Sequence, residues 1–232
     1  MARKSVSRSR KRDLNNPDEF ISFWTKLFDF VTAHKVQVSC AFGAFLIMLI
    51  IGAASLYYLK KSENKAFSLL QEGVAKYQTL LKTEGPDKAL KGAEKDFERI
   101  INNYSQRQGG ILARLYYADM CYAAKDYGKA ITLYNQLLAE FNDEPFLKNL
   151  VLSGLGYCYE AKKDYKTASG YFEMVATAQD YPLKDEALFN LGEMYAAVGN
   201  KDKSISAFKK ILSDYPESIY TEIVKEKISE NS

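Results

Sequence analysis

The strongest constraint on this chain is that its second half repeats itself. The stretch "LGEMYAAVGNKDKSISAFKKILSDYP" carries Leu191, Gly192 and Tyr195, then Ser204, Phe208 and Ile211, and closes on Pro216. Upstream, "LGYCYEAKKDYKTASGYFEMV" places Leu155, Gly156, Tyr159, Ala168, Phe172 and Val175 at matching points. Before it, "YADMCYAAKDYGKAITLYNQLL" supplies Ala118, Cys121, Ala130, Tyr134 and Leu137. Equivalent positions lie 38 and then 36 residues apart, as from Ala130 to Ala168 to Ser204. A partial fourth copy, "AEKDFERIINNYS", keeps Ala93, Phe97 and Ile100. The apolar periodicity is helical and strand signals are almost absent. Gly85-Pro86, Gly109-Gly110, Pro145, Pro182, Gly199 and Pro216 punctuate the helical stretches.

A period of this length is one helical hairpin, and stacked hairpins make a solenoid. The small residues Ala118, Gly156 and Gly192 let the two helices of a hairpin approach, and Ala130, Ala168 and Ser204 do so from the second helix. Tyr134, Phe172 and Phe208 are expected to fill the space between hairpins. The predicted repeats span 111–145, 149–182 and 185–216, with a degenerate half repeat at 86–106. A final helix within 217–230 caps the stack and presents Lys225, Glu226, Lys227 and Glu230 to water. The fold class is therefore all-α.

Ahead of the repeats, Val36 to Leu59 contains no charged residue and is bracketed by Lys35 and Lys60-Lys61. As a helix this run is about 36 Å long, enough to cross a hydrocarbon core of about 30 Å. It exceeds the usual 7–15 residues of a secretory apolar region, although "GAAS" at Gly52–Ser55 leaves cleavage open. We read residues 35–60 as a retained transmembrane helix and 61–85 as a linker helix. Eight bases and four acids fall up to Lys35, whereas the rest of the chain balances 24 bases against 25 acids. Positive charge on the N-terminal side predicts a cytoplasmic tail with the repeats outside.

Residues 1–15 form a basic, disordered tail suited to anionic lipid. Residues 16–34 begin with Asn16 as N-cap and Pro17 at the first helical position. They place Phe20, Trp24, Leu27, Phe28 and Val31 on one half of a helix, the expected membrane-interface residues. A protein surface in the membrane would suit this face as well.

Little catalytic chemistry is available. The one histidine, His34, precedes the apolar run, so the repeats contain no imidazole base for a nucleophile. Cys121 and Cys158 are too few for a zinc site and are expected in the core, which leaves a Cys121–Cys158 bridge open. Gly109-Gly110 reads as a turn joining helices, not a phosphate loop. Lys125-Asp126-Tyr127 and Lys163-Asp164-Tyr165 recur at the repeat period and read as turns. We expect no enzyme activity, cofactor or metal, and a neutral body argues against nucleic acid as a partner.

These motifs resemble the tetratricopeptide repeat (TPR) family, although the family's first-helix tryptophan is missing and the spacing is longer. The resemblance implies a protein-binding groove lined by Leu115, Asp119, Tyr122, Ser153, Tyr157, Glu160, Phe189 and Glu193. Such a groove is aromatic with acidic points and suits extended apolar or basic segments. The order of parts, with "DEFISFWTKLFDF" before the span and "EKDFERIINNYSQRQGGILARLYYADMCYAAKDYGKAI" after it, resembles the ancillary-subunit family of the bacterial SecYEG translocon. That likeness implies a single-pass inner-membrane protein with periplasmic repeats. Its partners would be the translocon, periplasmic chaperones, exported proteins and membrane lipid. A periplasmic scaffold for envelope assembly or cell division, and a cytoplasm-facing adaptor, stay open at this point, as does the oligomeric state.

Overall fold

The computed structural model describes residues 19–141, 143–179 and 181–231. The tail at 1–15, the expected cap at Asn16 and Pro17, and the side chain of Phe20 lie outside the described residues. Among the described residues all regular structure is helical. The elements are α1 (Glu19–Ala33), α2 (Lys35–Glu84), α3 (Pro86–Asn103), α4 (Gln108–Ala123) and α5 (Tyr127–Glu140). They continue with α6 (Pro145–Ala161), α7 (Tyr165–Ala176), α8 (Lys184–Ala197), α9 (Lys201–Asp214) and α10 (Thr221–Asn231). The chain divides into two units at Lys60 and Lys61.

The first unit holds α1 and the apolar part of α2. Backbone bonds cross the single non-helical residue His34: its N–H donates to Phe30 at 2.9 Å and its carbonyl accepts from Val38 at 2.9 Å. Trp24, Leu27, Phe28 and Val31 are exposed, as are Phe42, Ile47, Met48, Ile50, Ile51 and Leu56. Nothing described within this unit buries the apolar run.

In the second unit, α4 and α5, α6 and α7, and α8 and α9 form successive hairpins. The three inner turns share one construction. Lys125, Lys163 and Gly199 adopt positive φ of 62, 63 and 78°. The next residue's N–H reaches back five positions, from Asp126 to Cys121, Asp164 to Tyr159 and Asn200 to Tyr195, at 2.8–2.9 Å. This is a Schellman ending. Asp126, Asp164 and Asn200 then cap the second helix, accepting the N–H of Lys129, Thr167 and Lys203 at 3.1–3.2 Å. Four orphan N–H groups begin every helix, and a short side-chain acceptor supplies a partner for one of them. The "KDY" tripeptides are stop-and-start signals.

A hairpin also precedes Gly109, and here two expectations are corrected. First, residues 61–85 are no mere linker. The second part of α2 buries Ala66, Leu69, Leu70, Gly73 and Tyr77 and packs with Phe97 and Ile100 of α3. The half repeat is thus a whole hairpin. Its small residue and aromatic, Gly73 and Phe97, lie 24 positions apart, whereas Gly156 and Phe172 are 16 apart. The extra turns hid the match. Second, Gly109-Gly110 is not a turn but the start of α4. A Cβ on Gly109 would meet the Ala66 backbone carbonyl carbon at 2.9 Å, so only glycine allows α4 to begin this close to α2. The aromatics do reach between repeats: Tyr134 meets Gly154 of the following hairpin, Phe172 clusters with Leu191 and Met194 of the next hairpin, and Phe208 with Val224 of α10. Phe172 and Phe208 also fill space within their own hairpins, against Gly156 and Gly192.

Burial supplies most of the favourable free energy in such a stack. Phe97, Leu137, Val151, Leu155, Phe172, Val175 and Ile211 are all but fully enclosed. Val224 of α10 is likewise closed off, with Leu188, Phe208 and Ile211 around it.

Candidate protein-binding face

The first helices of successive hairpins, α4, α6 and α8, carry the residues expected to line a groove. Asp119 of α4 is open to solvent yet has protein close around it. Its carboxylate accepts the Tyr134 hydroxyl at 2.5 Å. Burial raises this carboxyl from its ordinary value, and the Tyr134 bond offsets part of the shift. Tyr122 is half-buried, its ring 5.6 Å from Tyr127 and 6.5 Å from Tyr157. Tyr157 is the most tied of the set. Its hydroxyl donates to Glu186 at 2.6 Å and accepts from the Asn190 amide at 2.8 Å, while its ring meets Phe172 edge-on at 5.2 Å. Glu160 is half-buried, and burial followed by the nearby Glu193 raises its carboxyl. Ser153 is half-buried on α6.

Two expected groove residues are engaged by the C-terminal segment. Phe189 stacks on Tyr220 at 4.6 Å and leans on Phe208 at 6.1 Å. Glu193 forms an ion pair with Lys227 at 2.9 Å. This corrects the reading of Lys227 as a residue presented to water: the face that caps the stack also reaches back into it. Leu115 is corrected as well. It is only 7% exposed and belongs to the core, because its side chain faces the neighbouring helices.

The structure adds Glu186, Asn190, Tyr127 and Tyr220 to the face, and the buried Tyr134 supports Asp119 from behind it. Repeat alignment could not find Glu186 and Asn190, whose counterparts one repeat earlier are Leu150 and Gly154. The chemistry changes at these positions while the backbone repeats. On α1, Trp24, Leu27, Phe28 and Val31 stand exposed on one short helix, with the Phe23 and Trp24 rings edge-on at 5.9 Å.

The Cys121 and Cys158 thiols are buried and unpaired, and burial pushes each up to about 12. Among the described residues, no three His, Cys, Asp or Glu side chains gather where a metal could be held. Lys129 bonds Glu94 at 2.6 Å and lies 4.8 Å from the Tyr117 ring centre, tying α5 to α3 and α4.

Stacked antiparallel hairpins with a small residue opposed to an aromatic, and half-buried aromatics along the first helices, define a helical repeat protein of the interaction class. The chain belongs to the tetratricopeptide repeat-like domain family, whose model matches residues 39–230. It is similar to crystal structures of nearly identical TPR-like repeats from Podosopora anserina, in a chain assigned as a kinesin light chain. The parent structure and a single-substitution variant of it each match with a TM-score of 0.56 at 12% identity, covering 70% of this chain and 84% of theirs. That likeness is one of fold. No curated protein matches the sequence. Repeats of this family are generally non-catalytic and bind other proteins, so the partners of this chain are proteins.

Proposed function

We propose that this is a membrane-anchored TPR module that serves an export channel. A single span would hold the repeat domain on the far side of a bacterial inner membrane, with the N-terminus in the cytoplasm. The repeats would receive segments of exported proteins beside the SecYEG translocon and pass them to periplasmic chaperones. The observation that carries the anchor is the run Val36–Leu59: it is helical, uncharged and wholly unburied, so nothing described in the protein keeps it from water. A continuous apolar surface of this size calls for lipid or protein around it. The exposed aromatic and aliphatic residues of α1 suit the headgroup zone beside such a span. The charge bias supports the orientation.

In-cell photo-crosslinking from a probe at Tyr122 tests the role. Tyr122 is preferred to Tyr157 because the latter's hydroxyl is engaged with Glu186 and Asn190. Translocon subunits, chaperones and a spread of exported proteins are the expected adducts. One dominant envelope-assembly or division protein would replace this reading with a scaffold. A C-terminal phosphatase fusion active only outside the cytoplasm tests the orientation.

A further inference from the structure

We infer that the first-helix face takes an extended segment of another polypeptide bearing lysine or arginine side chains, with aromatic or aliphatic residues between them. This rests on the protein-binding reading above and adds the chemistry of the partner. Along α4, α6 and α8 this face carries the carboxylates of Asp119, Glu160, Glu186 and Glu193, and the cation described against them is Lys227 of α10. Three of them have partners within the protein: Asp119 the Tyr134 hydroxyl, Glu186 the Tyr157 hydroxyl and Glu193 the Lys227 ammonium.

Lys227 shows how this face treats a cation. Its ammonium lies 2.9 Å from one carboxylate oxygen of Glu193 and 3.1 Å from the other, with both side chains roughly two-thirds covered. Glu160 is the acid beside Glu193, and it makes no ion pair among the described residues. Asp119 holds the Tyr134 hydroxyl and no cation among the described residues. Between these acids stand the half-buried rings of Tyr122 and Tyr157, 6.5 Å apart. Ring faces beside carboxylates bind ammonium and guanidinium groups along with their methylene stems. An acidic partner would bring a further negative charge beside Glu160, whose carboxyl is already raised by burial and by Glu193. In the proposed topology the chain's own basic stretch, Arg3 to Arg12, would be cytoplasmic, so the occupant belongs to another chain.

The test uses the full chain in nanodiscs of zwitterionic lipid, with empty nanodiscs as the blank. Three fluorescein-labelled 12-residue peptides share the same phenylalanines and differ in having lysine, glutamine or glutamate between them. Fluorescence anisotropy is expected to show the lysine peptide binding about tenfold tighter than the glutamine one, an advantage that shrinks with added salt. Glu160→Gln and Asp119→Asn should each remove most of that advantage, and Glu217→Gln should leave it unchanged. Among the described residues Glu160 has no ion-pair or side-chain hydrogen-bond partner to lose, so its variant separates recognition from folding. Equal binding of lysine and glutamine peptides overturns the cation preference and leaves the protein-binding reading standing. Binding of none of the peptides removes both.

Discussion

Phe97 packs against Gly73 so closely that a Cβ on Gly73 would lie 3.2 Å from the Phe97 Cε2. The same opposition recurs with tighter spacing: 2.7 Å for Gly156 against Phe172 and 2.3 Å for Gly192 against Phe208. Each glycine sits inside a helix, where alanine would gain up to about 1 kcal/mol of propensity. Over-packing a core costs about 1–3 kcal/mol. Gly73→Ala is therefore expected to be neutral or slightly stabilising, while Gly156→Ala and Gly192→Ala destabilise. Urea midpoints of the three variants check the order. A more stable Gly192→Ala protein would mean that the ring moves aside freely.

Helix α4 has no capping side chain of its own, and its N-terminus is served by Glu63 of α2. The Glu63 carboxylate accepts from Gly109 at 2.9 Å and from Gln108 at 3.2 Å. Losing such a cap costs about 1 kcal/mol. Glu63→Ala should lower stability by about that amount and speed amide exchange at Gly109. Glu63→Gln, which keeps an acceptor oxygen, should recover part of the loss.

Buried thiols make the fold sensitive to alkali. Burial raises the Cys121 and Cys158 thiols from 9.0 to about 12 in the folded protein. The folded state therefore holds these protons more tightly than the unfolded state. Their contribution is complete below about pH 9 and is lost between about pH 9 and pH 12, as unfolded thiols ionise first. Unfolding midpoints at pH 8, 9 and 10 should fall accordingly, and the fall should be shallower in a Cys121→Val, Cys158→Val double variant. In a Cys40→Ser background, both thiols should resist maleimide until denaturant is added.

Glu160 is expected to cost stability at neutral pH. Its carboxyl is raised, so the charged form is disfavoured in the fold and the protonated form is favoured. Glu160→Gln should raise the melting temperature at pH 7, and the gain should fade as the pH approaches 4, where the glutamate itself is neutral. A loss at pH 7 would show that Glu160 has an internal partner.

The hairpin turns make a smaller prediction. Asp126→Ala and Asp164→Ala each remove the acceptor for a first-turn N–H, at Lys129 and Thr167. Each should cost about 1 kcal/mol, and an asparagine at either position should restore it, as Asn200 serves the last hairpin.

Much of the fold was legible because the signals are local. Small residue, aromatic and turn recur in fixed order through Gly156, Asp164 and Phe172, then Gly192, Asn200 and Phe208. The first hairpin escaped because its longer helices stretch the interval between Gly73 and Phe97. The face was legible only in outline. Asp119, Tyr122, Tyr157 and Glu160 could be placed by register, whereas Leu115 turned inward and Phe189 and Glu193 were taken up by Tyr220 and Lys227.

By itself the sequence determined the helical periodicity, the stacked hairpins and the uncharged run from Val36 to Leu59, since each depends on neighbours a few positions away along the chain. Tertiary structure alone decided that Glu63 would cap α4, that Glu186 and Asn190 would hold the Tyr157 hydroxyl, and that Lys227 would pair with Glu193. Those contacts join residues 29 to 46 positions apart. They depend on the register between helices, set by how far each glycine and aromatic lets its neighbours approach, and no repeat pattern carries that information.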